Sequence, residues 1–250
     1  MQRIQFRLLG PVGVWLGDQP LGPTTPQQRS VLAVLLIDAN RVVSMDNMSR
    51  ALWGENPPNS ARNAIQGYVS RLRRVLAPSS EAEIITQPGG YSLRAEKTQI
   101  DLHLFRSLVG TAQHTDATRA SAQLEHALEL WSGPPLAGVS GHWLPSRVGI
   151  HIEEERLSAL EEHAAATLAA GRLQEATIEL TSLIRDHPLR ERAVSLLMTA
   201  LHRSGRRAEA LRVFQATRQH LVRELGLEPD GILRATHQQI LTDAPTLLPT

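Results

Sequence analysis

Between Glu55 and Glu81 the chain carries four arginines, Arg62, Arg71, Arg73 and Arg74, and not one carboxylate. Interspersed with them are Asn59, Asn63, Gln66 and Ser70. A surface helix kept for solubility alone mixes both signs of charge and pairs them at i,i+4. Amides, hydroxyls and guanidiniums without carboxylates are the groups that read base edges and hold phosphates. Asn63, Gln66 and Ser70 are therefore assigned to base edges, since an amide pairs bidentately with adenine. Arg62, Arg71, Arg73 and Arg74 are assigned to phosphates, with Arg74 also able to reach a guanine. A merely solvated arginine face is the competing reading, and the flanking chain has to decide between the two.

Such side chains need a helix to present them. At about 100° per residue, Ala61, Ile65, Tyr68, Val69, Leu72 and Leu76 fall on one apolar stripe, with the amides on the opposite side. Upstream, Ile4–Leu9 and Val12–Leu16 predict an antiparallel hairpin split by Gly10-Pro11, and Gln19–Leu21 a third strand. Thr24 or Thr25 caps a helix with Pro26 in its first turn, which buries Val31, Leu32, Leu35 and Leu36 and ends near Asn40. Ser44 caps a second helix that Gly54 stops, and Asn59 or Ser60 starts the third. Downstream, Ile84–Gln87 and Tyr91–Arg94 flank a Pro-Gly-Gly tip and predict another hairpin. Three helices followed by a β-hairpin is a winged-helix arrangement. Its tip, Gln87, Gly89, Gly90 and Tyr91, is assigned to the minor groove, where small glycines let the backbone come close.

The remaining chain reads as helices. Asp101–Leu130 predicts two, the second capped by Thr115 or Asp116; Gly133-Pro134-Pro135 breaks the pattern, and Pro145 or Ser146 opens a long helix to Ala170. Gly171-Arg172 with Glu175-Ala176 recurs as Gly205-Arg206 with Glu209-Ala210, a spacing of 34 residues, which is the tetratricopeptide period. His187-Pro188 opens a helix to Ser204, Arg206–Leu225 forms the next, and Pro229 or Asp230 opens the last, ending near Leu241. The tail from about residue 242 is expected to fray. The expected fold is mainly α with small β-sheets. A winged helix-turn-helix domain over residues 1–96 is followed by an all-α, tetratricopeptide-like domain over residues 97–250.

Residues 4–94 resemble the OmpR-type winged-helix domain, in particular that of the Streptomyces antibiotic regulatory protein family. The resemblance rests on Arg41–Ser44 (RVVS), Ala51–Gly54 (ALWG), Pro57-Pro58, Tyr68–Leu76 (YVSRLRRVL) and Gly89–Leu93 (GGYSL). Residues 97–242 resemble the bacterial transcriptional activation domain of the same family, through Ala127–Trp131 (ALELW), Gly133–Gly138 (GPPLAG), His187–Arg190 (HPLR) and Gly205–Leu211 (GRRAEAL). In Thr25–Arg29 (TPQQR) the family's arginine is matched by Arg29, which the resemblance places among the DNA-binding residues, whereas Gln27 stands where the family often has lysine. The resemblance further implies tandem binding to promoter direct repeats, with a second copy lying head to tail alongside. It also implies contact with RNA polymerase and its sigma factor, and activation of a secondary-metabolite (antibiotic) gene cluster.

Composition limits the alternatives. The chain has 250 residues and no cysteine, so a disulfide framework, a thiolate metal site and a cysteine nucleophile are all excluded. Net charge is +1, divided as +3 over residues 1–96 and −2 over the remainder. Lys97 is the only lysine and has no glycine-rich lead-in, so there is no phosphate-binding loop of the G-x-x-x-x-G-K type. The ten histidines are scattered; His151, His163, His202 and His220 are assigned to the surface or to satisfied packing rather than to a metal. No catalytic residue, cofactor or metal is assigned, no membrane span is expected, and the expected location is cytoplasmic. A tetratricopeptide-type adaptor, or a regulator that senses a ligand through its helical half, is the alternative to a DNA-binding activator.

Overall fold

The computed structural model describes residues 3–242; residues 243–250, the bulk of the tail expected to fray, lie outside the described residues. Packing divides the chain into two units, Met1–Val109 with His126–Arg156, and Gly110–Glu125 with Leu157–Thr250. The division expected at residue 96 does not coincide with these units, because residues 97–109 and 126–156 pack with the winged helix.

In the first unit, β1 (Ile4–Arg7), β2 (Gly13–Leu16) and β3 (Gln19–Gly22) form an antiparallel sheet in that order, with Ile4 opposite Leu16 and Phe6 opposite Val14. β1 and β2 are shorter than the apolar runs that predicted them, because the backbone of Leu8–Val12 has other partners. The Leu8 and Leu9 N–H groups donate to the Asp101 carboxylate at 2.8–3.0 Å. Leu136 N–H donates to the Leu8 carbonyl and Ser132 N–H to the Leu9 carbonyl, both at 2.8 Å, and Val12 N–H donates to the Ala137 carbonyl at 3.0 Å. Asp101 opens α4 (Asp101–Ala112) and also accepts from Leu102 N–H at 2.7 Å. Burial lifts its carboxyl to about 6, against the pull of the Leu9, Leu8 and Leu102 amides and of Arg7.

α1 (Pro26–Ile37) starts at the Thr25 cap, and every residue from Ser30 to Leu36 is buried. An amphipathic helix was expected there. α2 (Met45–Trp53) and α3 (Ala61–Leu76) cover one side of it. Elsewhere Ser140 Oγ lies 2.9 Å from Ser30 Oγ, and the His103 ring lies 2.9 Å from the Leu36 carbonyl oxygen. A second sheet, in the order β4-β6-β5, is built from β4 (Val43–Ser44), β5 (Glu83–Gln87) and β6 (Gly90–Arg94). Asn40, left-handed at φ 66°, pins the end of β6: its N–H donates to the Leu93 carbonyl at 2.8 Å and its side-chain amide to the Ala95 carbonyl at 2.9 Å.

In the second unit, α7 (Leu173–Asp186), α9 (Arg207–Leu225) and α10 (Gly231–Leu241) all pack on α8 (Glu191–Arg203). α8 is buried without interruption from Ala193 to Leu201. The repeat behaves as its spacing requires. Gly171 and Gly205 adopt φ of 82° and 77°, and Ala176 and Ala210 are fully buried at the helix crossings that follow. α8 opens at Glu191, later than expected, because His187 closes α7 by donating its N–H to the Leu183 carbonyl at 2.8 Å. Pro188 then sits in a turn. α5 (Ala117–Glu129) starts after Asp116, whose carboxylate accepts from Arg119 N–H at 3.0 Å. α6 (Ile150–Ala169) follows a wide π-type turn at Leu144–Gly149 that holds Pro145 and Ser146, so the long helix begins later than those residues suggested.

Candidate nucleic-acid interface

α3 is seated by Ile65, Val69, Leu72 and Leu76, all buried, with Ala61 and Tyr68 half-buried at the edge of the stripe. The opposite face is open. Arg62, Asn63, Gln66, Ser70, Arg71 and Arg74 are exposed, and none of the six side chains has a hydrogen-bond or ion-pair partner among the described residues. The first turn holds no acidic residue and Ser60 makes no side-chain cap, so the positive end of the helix dipole is uncompensated where an anion would approach. Three amide or hydroxyl side chains flanked by three free guanidiniums can donate to bases and phosphates at once.

Four other assigned residues turn out differently. Arg73 is exposed, but its guanidinium is already engaged: Nε donates to the Ile84 carbonyl at 3.0 Å and a terminal nitrogen to Thr86 Oγ1 at 2.8 Å. Arg29 is half-buried, donates Nε to the Pro23 carbonyl at 3.3 Å and lies against Gly138, so it is spent inside the unit rather than offered to a phosphate. Tyr91 is 8% exposed and packs within the hairpin, paired in register with Val43 and Thr86. Gly90 is buried as well; its small size lets β6 meet β4, not DNA. A Cβ there would stand 2.8 Å from the Val43 carbonyl carbon, 3.0 Å from Ser44 Cα and nearer still to the Val43 oxygen. Gln87, half-exposed, and Gly89, exposed at φ 82°, remain at the tip, where the Gly89 carbonyl accepts from Met45 N–H at 3.1 Å.

Gly90→Ala should unpair β4 from β6, because only backbone surrounds the added methyl. A loss of about 1–3 kcal/mol and faster amide exchange at Tyr91 are expected, read by thermal melting and hydrogen exchange.

Sequence reasoning missed two residues that shape this surface. Thr86 is the acceptor for Arg73, and Asn40 ties β6 to the end of α1. An asparagine just past a helix end was the one available signal, since it tolerates the left-handed conformation. Nothing in the local sequence pointed to Thr86.

One constellation in the second unit has the look of hydrolytic chemistry. Ser121 Oγ lies 3.2 Å from His163 Nε2, and His163 Nδ1 lies 3.1 Å from Glu179 Oε2. Ser121 is fully buried, its hydroxyl also meets Thr167 Oγ1 at 3.0 Å, and it accepts from the Arg172 guanidinium. A nucleophile needs an approach for its substrate, and this hydroxyl has none. The network satisfies buried polar groups, as the reading of His163 as packing supposed. Among the described residues no group of His, Asp or Glu is placed to hold a metal, and no helix is long and apolar enough to cross a membrane.

Comparison with known proteins places the chain among transcriptional regulators. Residues 100–241 match the family model of the bacterial transcriptional activator domain, and residues 19–93 match that of the C-terminal domain of transcriptional regulatory proteins. The chain is 40% identical over 249 residues to the regulatory protein AfsR of Streptomyces coelicolor, covering 98% of this chain and 25% of that protein. It thus spans about a quarter of AfsR. It is 32% identical over 257 residues to the regulatory protein DnrI of Streptomyces peucetius, covering 97% of this chain and 93% of DnrI. Among solved structures, Mycobacterium tuberculosis EmbR in complex with a low-affinity phosphopeptide aligns with a TM-score of 0.93 at 33% identity, over 99% of this chain and 67% of that one. These families are families of transcriptional regulators, not enzymes.

Proposed function

The chain belongs to the Streptomyces antibiotic regulatory protein family of transcriptional activators, and from that premise we propose that it activates transcription by laying α3 in the major groove of promoter DNA. In this reading Asn63, Gln66 and Ser70 read base edges, and Arg62, Arg71 and Arg74 hold phosphates. Gln87 and Gly89 bring the wing tip to the minor groove. Residues 1–96 serve DNA binding and residues 97–250 activation. Two copies bind direct repeats head to tail, which needs no symmetric dimer in solution. The helical part recruits RNA polymerase through its sigma factor, the regulated genes form a secondary-metabolite cluster, and the protein works in the cytoplasm.

The observation that carries this reading is the carboxylate-free face of α3, exposed and without partners among the described residues. The test is a titration of promoter and random duplexes over a salt series. The promoter should be bound at least about 10³-fold more tightly, and affinity for both should fall steeply with salt as counterions are released. Equal, salt-insensitive binding of the two would favour an adaptor whose winged helix contacts protein.

A further inference from the structure

We infer that Arg73 is a positioning residue, one that braces the wing hairpin against α3 and so sets how the two parts of the interface meet a single duplex. The inference rests on the reading of α3 and the hairpin as a DNA interface. Three observations lead to it. First, the guanidinium uses two of its nitrogens on one strand, donating to the Ile84 carbonyl at 3.0 Å and to Thr86 Oγ1 at 2.8 Å. A planar fork held at two points has a fixed orientation, which a single contact would not give. Second, the same guanidinium lies 5.8 Å from the centre of the Tyr91 ring, on the neighbouring strand and in register with Thr86. It therefore grips both strands of the hairpin. Third, β5 is the outer strand of the β4-β6-β5 sheet, and a recess of about 340 Å³ open to solvent, lined by Arg73, Leu76, Ser79, Ala82, Glu83 and Ile84 among others, lies between it and the end of α3.

β6 is held by its pairing with β4 and by Asn40, and Leu76 and Ile84 are buried at the base of the hairpin, so Arg73 holds the outer strand β5 to α3 beside that recess. Among the described residues, Arg73 makes the only side-chain hydrogen bonds from α3 to the hairpin. Its neighbours Arg71 and Arg74 have no such partners. The three guanidiniums, alike in sequence, thus divide into two that face outward and one that holds the protein together. A guanidinium already paired in this way has less to gain from a phosphate. Loosening it moves the tip at Gln87–Gly89, three residues beyond Ile84 and about 10 Å along the strand.

The test uses the full chain with Arg73→Ala and Thr86→Val, the second of which keeps every charge. Binding to the promoter duplex is measured over a salt series, and amide exchange of residues 83–94 is measured in the free protein. Arg73→Ala should bind about tenfold more weakly with an unchanged slope of log affinity against log salt. Thr86→Val should show a smaller loss in the same direction, and exchange in the hairpin should quicken in both. A slope that falls by about 0.9, as expected for one lost phosphate contact, together with unaltered exchange, would overturn the proposal. So would a Thr86→Val protein indistinguishable from the parent in both measurements. If the parent itself shows no preference for promoter DNA, the DNA reading fails, and the exchange rates still decide whether Arg73 braces the hairpin.

Discussion

Gln66→Glu should lower affinity for any duplex by about 100-fold or more. The substitution is nearly isosteric, helix propensity hardly changes between the two residues, and the side chain is exposed with no partner among the described residues. Stability should stay the same. What changes is the charge, since a neutral amide becomes a carboxylate at the centre of the exposed face of a helix that carries none. Most base edges in the major groove offer acceptors, and phosphates line both rims. A carboxylate pressed among them can accept only from the amino groups of cytosine and adenine, is repelled by the neighbouring acceptors and phosphates, and loses its hydration as well. Gln66→Ala should behave differently, losing about 1–3 kcal/mol on the site that contains the base it reads and little elsewhere. Fluorescence anisotropy with promoter and random duplexes at fixed salt separates the two patterns. A Gln66→Glu protein that binds like its parent would show that this face does not enter a groove.

Asp101→Ala should destabilise the first unit by roughly 3 kcal/mol, a fall in Tm of about 6–12 °C. The carboxylate is the acceptor for three backbone N–H groups, of Leu8, Leu9 and Leu102. Leu8 and Leu9 are fully buried, so alanine leaves their donors stranded where water does not replace the lost oxygen. The pH dependence carries a sign of its own. In the fold the carboxyl keeps its proton up to about 6, whereas unfolded it gives it up near 3.8. Between those values the folded state binds more protons, so this group's contribution to stability is greatest below about pH 4 and falls as pH rises to about 6. Asp101→Ala should remove that slope. Thermal melts of both proteins at intervals from pH 4 to pH 7.5 give the comparison, and parallel profiles would mean that Asp101 is not the group responsible.

The two units raise the same point in different ways. α1 and α8 are each enclosed over most of their length, Ser30–Leu36 in one and Ala193–Leu201 in the other. For α1 the periodicity of Val31, Leu32, Leu35 and Leu36 was legible, but Ser30 and Val34 lie off that stripe. Both are buried; Ser140 meets Ser30, and His103 reaches the Leu36 carbonyl at the end of the same helix. The segments holding His103 and Ser140 were read as part of a second domain. Residues 100–241 match one family model, while the hydrogen bonds to Leu8, Leu9 and Val12 make part of that stretch a unit of packing with the winged helix. A boundary in sequence family and a boundary in the core need not be the same residue.

The sequence by itself determined what depends on neighbours a few positions apart. It set the apolar stripe of α3 and the carboxylate-free face opposite, the Ser44 cap, the turns at Gly171 and Gly205, and the hairpin around Pro88-Gly89-Gly90. These follow from helical period, capping chemistry and allowed backbone angles, all of which act over one or two turns. Only the tertiary structure decided that Arg73 and Arg29 are engaged within the protein while Arg62, Arg71 and Arg74 have no partner among the described residues. It alone showed that Gly90 is required by Val43, and that Tyr91 is buried. Whether a guanidinium finds a carbonyl depends on where a distant strand comes to lie, and a long flexible side chain carries no local mark of the partner it will meet.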